Sequence, residues 1–195
     1  MKKNIFMVVA ILLMYGCASI PTHMSYVSNN TKITNSNDYA TIVFFRPANF
    51  FGSAIPVTII EIVNNENVKY VGQLFSGAGV LYKVKSGKYT FGISGETWKT
   101  LEVNTDTNKF YYIAIYATPG VFQANFATQP IKDRSSLYIT HDIKYIKWTE
   151  PNENAKSYIM QNANSYYASW LAGAGNISAV TKEFGISEWF GVINK

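Results

Sequence analysis

Across 195 residues there are one cysteine, two histidines, six prolines and charged side chains at only 15% of positions. The single thiol excludes an intramolecular disulfide framework. Two imidazoles, widely separated at His23 and His141, fall short of the three or four ligands that a typical zinc site takes at recognisable spacing, so neither metal nor cofactor is expected. A mainly disordered chain is excluded as well, because 48% of residues are hydrophobic and 15% aromatic. Basic side chains exceed acidic ones only by 17 to 12. Their densest spot, Lys83, Lys85 and Lys88, is that of a solvated face. A nucleic-acid-binding protein carries a stronger basic stripe, so no nucleic-acid partner is expected. No apolar run reaches the ~20 residues that a spanning helix needs.

What is present begins with targeting. Lys2 and Lys3 precede eleven uncharged residues, Ile5 to Tyr15, a length suited to the apolar stretch of a signal peptide and too short to span. That run leads into Met14-Tyr15-Gly16-Cys17. The pattern resembles the lipobox of bacterial lipoproteins, with a small residue directly before an obligatory cysteine. The resemblance implies cleavage before Cys17 and acylation of Cys17, the only cysteine in the chain. Two or more acyl chains hold a protein stably on a membrane, whereas one is marginal. Removing Lys2 and Lys3 with the leader also lowers the formal charge of +5 by two.

Residues 17–37 are rich in Ser, Thr and Asn without a sustained period and read as a flexible tether. From Tyr39 the composition changes. Tyr39 to Arg46 and Ile55 to Val63 are dense in β-branched and aromatic residues and apolar on both faces. Asn64 to Asn67 supplies turn chemistry before Val68 to Phe75, which predicts a hairpin. Further strand-like runs are Val80 to Val84, Tyr89 to Ser94, Trp98 to Val103, Phe110 to Ala117, Val121 to Thr128 and Leu137 to Trp148. Gly87, in the turn Lys85 to Lys88, is expected at positive φ. Short strands at this spacing predict an all-β fold, an antiparallel β-sandwich of immunoglobulin or transthyretin-like size over 38–148.

Beyond Trp148 the period changes. Ala155, Tyr158, Ile159, Ala163, Tyr166, Trp170 and Leu171 recur at three- and four-residue steps, and Gly173 and Gly175 follow. This predicts a helix and makes 149–195 a C-terminal helical appendage, with a second short helix near Ser178 to Phe184.

Phe44-Phe45-Arg46-Pro47, Gly52 to Pro56, Val71 to Leu74, Ser86 to Phe91 and Phe110 to Ile113 occur in order after the lipobox. Through them the segment Tyr39 to Ile131 resembles a family of small bacterial lipoproteins described as a domain of unknown function. The resemblance implies a surface-binding β-sandwich without an established enzymatic role.

Candidate chemistry is sparse. No G-x-S-x-G elbow, P-loop or dinucleotide glycine pattern occurs. His141-Asp142 in a strand-like run reads as a half-exposed pair. Nothing in the spacing of Glu61, Glu96 and Glu102 brings two carboxylates together. Arg46 ends an apolar strand; it serves either as an anion contact or as a structural partner of a nearby acid. Phe44, Phe45, Phe50 and Phe51 either pack in the core or line a groove for a glycan or peptide. The expectation is a lipid-anchored envelope protein with a non-enzymatic structural or binding role toward another envelope protein or polymer. The alternative is an envelope hydrolase acting on cell-wall or glycan material. Ala18 after Cys17 is not the Asp that retains many lipoproteins at the inner membrane. That resemblance implies the outer membrane, facing the periplasm, in a Gram-negative cell.

Overall fold

A computed structural model describes residues 20–28, 33–34, 36–48, 52–64, 67–118, 125–131, 143–173 and 177–187. The lipobox with Cys17, together with Phe50, Phe51, His141 and Asp142, lies outside the described residues.

The described chain is mostly strand and forms two sheets. In chain order the strands are β1 (Met24–Tyr26), β2 (Ala40–Phe45), β3 (Val57–Ile62), β4 (Val68–Leu74), β5 (Ala78–Val84) and β6 (Gly87–Ser94). They continue with β7 (Trp98–Thr105), β8 (Phe110–Thr118), β9 (Asn125–Ile131), β10 (Lys147–Pro151) and β11 (Ile177–Val180). The helix α1 (Asn154–Gly173) lies between β10 and β11. A six-stranded sheet has the order β1-β10-β5-β2-β8-β9 and a five-stranded sheet the order β11-β7-β6-β3-β4.

The sheets are mixed, which corrects the antiparallel expectation. β10 runs parallel to β5, β2 to β8 and β11 to β7. Parallel neighbours need a long excursion between them. Here the chain leaves the six-stranded sheet after β2, passes through the other sheet, and returns as β5 and β8. The turns Lys85 to Lys88 and Asn104 to Asn108 therefore carry the chain from sheet to sheet rather than closing hairpins. The β3–β4 hairpin forms as predicted, with a register shift after Ile59. Gly87 has the expected positive sign of φ, at +157°, toward the extended region.

β2 and β3 are interior strands whose successive residues are buried on both faces of the sheet, which is why both are apolar on two faces. Alternation sends Ile42 and Phe44 to the core between the sheets, with Ile59, Val80, Phe91, Leu101, Tyr111 and Ile113. Val43 and Phe45 face the other way, into a second cluster with Tyr112, Ile131, Ile146 and Trp148. Tyr111 and Tyr112 thus point to opposite faces, and both are buried.

The terminal segments differ from the sequence reading. Within the stretch expected to be a tether, β1 pairs with β10, and Met24 and Val27 are buried. The segment after 148 is no appendage: β10 and β11 join different sheets. Ile177 to Val180 is a strand, and only Lys182–Phe184 turns helically. A four-residue run with β-branched residues at 177 and 180 extends the edge of the five-stranded sheet more readily than it nucleates a helix.

α1 covers the outer face of the five-stranded sheet. Ala155 is buried, and Tyr158, Ile159, Asn162, Ala163, Tyr166, Tyr167 and Trp170 are half-buried, one stripe at helical spacing. Leu171 falls off that stripe and is 61% exposed, against expectation. No described helix is long and apolar enough to cross a membrane.

Candidate functional site

Arg46 follows β2 at one end of the inter-sheet core and is buried. Its Nη1 donates to Ile55 O and its Nη2 to Gly52 O, both at 2.5 Å. The guanidinium carbon lies 4.8 Å from the centre of the Phe126 ring. Burial lowers its pKa to about 10, so it stays charged at neutral pH. Sequence left Arg46 between an anion contact and an acid partner; among the described residues no acid pairs with it. The fork instead satisfies two carbonyls of the β2–β3 crossover, and the aromatic face replaces part of the lost hydration.

Glu61 closes the opposite end of that core. Its carboxylate accepts a short hydrogen bond from Tyr82 Oη across the sheets and lies 3.6 Å from Lys69 Nζ. Burial, then the Glu61 hydrogen bond and charge, push the Tyr82 hydroxyl far above its usual pKa. Glu102 pairs with Lys88 at 2.9 Å. Among the described residues no group of three or more His, Cys, Asp or Glu converges as metal ligands do.

The N-terminal corner concentrates fixed polar groups that the sequence reading did not single out. Asn152, between β10 and α1, works in both directions. Its Oδ1 accepts from Asn154 N–H at 2.9 Å, in the manner of a helix cap. Its Nδ2 donates to Thr22 O, Met24 O and Ser25 Oγ at 3.0, 3.1 and 3.2 Å. Asn152 N–H adds a bond to His23 O at 3.1 Å, and Asn154 Nδ2 one to Thr22 O at 3.2 Å. Two asparagines thus clamp Thr22 to Ser25 against the start of the helix. An Asn one residue after Pro151 and two before a helical period was the available signal, since such residues cap helices.

His23 is buried within this clamp. Its ring stacks on Tyr158 with centroids 3.7 Å apart and meets Tyr70 edge-on at 5.4 Å. Its Nε2 is buried without a hydrogen-bond partner, and burial lowers its pKa. Tyr158 and Tyr166 share a short hydroxyl–hydroxyl bond, and Tyr166 meets Trp98 edge-on at 5.8 Å. Trp170 Nε1 donates to Thr100 Oγ1 at 3.0 Å. The aromatic residues that sequence placed on one helix face are therefore brought together, against rings of the sheet.

Two shallow clefts adjoin these features. One, of about 330 Å³, is lined by Lys99, Thr118, Asn125, Phe126, Thr128 and Ser178, with Lys99 the charged group among the described residues. The other, of about 250 Å³, lies beside the clamp and includes Ile20, Tyr26, Phe75, Tyr145 and Lys147. No family model matches the chain, and no curated protein matches it.

Proposed function

We propose that this chain is a lipid-anchored cell-envelope protein, acylated at Cys17. In this reading its two sheets form a β-sandwich of immunoglobulin or transthyretin-like size. Its role is structural or binding, toward another envelope protein or polymer, and non-enzymatic. The observation that carries the reading is the N-terminal pattern: Lys2-Lys3, the uncharged run Ile5 to Tyr15, and Gly16 before the chain's only cysteine.

A holding role is supported by how the fixed polar groups are used. Arg46 ties down a crossover, and Glu61 bridges two strands through Tyr82. Asn152 clamps the N-terminal segment, and Lys182 pairs with Asp106 at 2.7 Å to hold the chain after β11. Each of these groups fixes chain to chain, which gives a stiff scaffold for presenting a surface. In a cell with two membranes, Ala18 fits the outer membrane facing the periplasm.

The test is Cys17→Ala in cells. The protein is expected to leave the membrane fraction and to lose metabolic labelling by a fatty acid. A variant that remains labelled overturns the reading.

A further inference from the structure

We infer that the globular domain itself lies against the bilayer, through the face formed by Ile20, Tyr26, Tyr145 and Lys147. The inference rests on acylation of Cys17.

Chain length sets the constraint. A free tether of 17–37 would let the domain range over roughly 70 Å at ~3.3–3.6 Å per residue. The structure removes that freedom, because Asn152 and Asn154 hold Thr22 by its carbonyl and β1 begins at Met24. Only three peptide steps separate Cys17 from Ile20. They reach about 11 Å at full extension. The interfacial layer of one leaflet is itself about 5–7 Å deep. Whatever surrounds Ile20 is therefore within reach of lipid headgroups.

What surrounds Ile20 has interfacial chemistry. Tyr26 is 55% exposed and Tyr145 67% exposed, and both border the cleft that Ile20 and Phe75 line. Tyrosine places an apolar ring and a polar tip at headgroup level. Lys147 lies on the same cleft, and Lys144 is exposed next to Tyr145 in the chain. Lysines beside a membrane anchor are attracted by anionic headgroups. On β10, strand alternation puts Lys147 and Thr149 on this face and Glu150 on the other, so the acid does not cancel the lysine. The exposed apolar residues of α1 are a separate matter. Leu171 lies seventeen residues along the helix from Asn154. That is about 25 Å from the clamp at 1.5 Å per residue.

The experiment uses the full, lipidated protein in phosphatidylethanolamine–phosphatidylglycerol vesicles with nitroxide-labelled headgroups. With Cys17 acylated, a new cysteine is the sole free thiol for a fluorophore. Tyr145→Cys, Tyr26→Cys and Leu171→Cys are compared, and fatty-acid incorporation is measured on the same samples. Labels at 26 and 145 are expected to be quenched by the headgroup nitroxide and to lose quenching by aqueous iodide. The label at 171 should show the reverse. Fatty acid present with all three labels equally open to iodide overturns the apposition and leaves the anchor standing. Fatty acid absent overturns the anchor and this inference with it. Equal headgroup quenching in phosphatidylglycerol and in pure phosphatidylcholine vesicles overturns the part given to Lys144 and Lys147.

Discussion

Phe91 and Gly92 are neighbours on β6 and face two different interiors. Phe91 points into the core between the sheets, among Phe44, Tyr82 and Tyr89. Gly92 points outward, beneath Trp170 and Trp98. The first interior is largely aliphatic and aromatic side chains from both sheets, buried almost completely. The second is half-buried tyrosine and tryptophan over buried threonine and histidine, joined by ring contacts and hydroxyl bonds. Bulk burial holds the sheets together, whereas fitted polar-aromatic contacts fix where the helix lies. A core of the first kind tolerates exchange of one apolar shape for another better than it tolerates loss of volume. A surface of the second kind depends on geometry.

The sharpest contrast comes from truncating Phe91. Phe91→Ala should cost about 3–5 kcal/mol, from lost transfer energy and the cavity left between the sheets. Chemical denaturation of the unlipidated protein reads this as one cooperative shift. A loss below about 1 kcal/mol would show that the inter-sheet core is not the main source of stability.

Next is Gly92→Val, which adds volume on the other face. A Cβ there would sit 2.9 Å from Trp170 Cδ1 and 3.1 Å from Ile60 Cγ1. Overpacking of this kind costs about 1–3 kcal/mol. The expected signature is local: amides of α1 exchange faster while those of β2 and β8 stay protected. Uniform loss of protection would mean that helix and sheets unfold as a single unit.

Trp170→Phe probes the polar component of the same face. It removes the indole donor to Thr100 Oγ1, for an expected loss near 1 kcal/mol. Pairing it with Thr100→Val in a double-mutant cycle isolates that bond. Strict additivity would show that the contact is packing alone.

The smallest effect expected is a pH dependence centred on His23. Burial lowers its pKa below the ordinary 6.5, so the folded state favours neutral imidazole and binds fewer protons than the unfolded chain near that pH. Stability should therefore be level above pH 6.5 and fall as pH drops through that value. Tyr158 and Tyr70 face the ring, and burial raises the Tyr70 pKa away from this range. His23→Phe should flatten this part of the profile. An unchanged slope in the variant would assign the dependence elsewhere.

Several features were legible in the residues themselves. β-branched and aromatic runs bounded by Asn, Gly and Pro placed β2, β3, β4 and β6 to within a few residues, since those types suit a pleated, buried backbone whatever their partners are. The helical period found α1, and Gly173 marked its end. At the candidate site, sequence pointed to Cys17, outside the described residues, and to Arg46. It missed Asn152, His23, Tyr26 and Tyr145, because their importance lies in partners more than a hundred residues away, such as Asn152 with Met24 and Tyr158 with His23.

The sequence by itself determined the kind of the central strand segments and of the long helix, because these depend on composition and short-range period. Only the tertiary structure decided which strands pair and in which direction. It likewise decided that the supposed tether is clamped into a sheet, and that the C-terminal segment contributes a strand to each sheet. The physical reason is the same in every case. A strand satisfies its backbone hydrogen bonds only through a neighbour, and that neighbour is selected by crossovers and burial across the whole chain rather than by its own residues. β1, three residues among Ser, Thr and Asn, has little strand signal of its own, and β10 supplies the edge that makes it one.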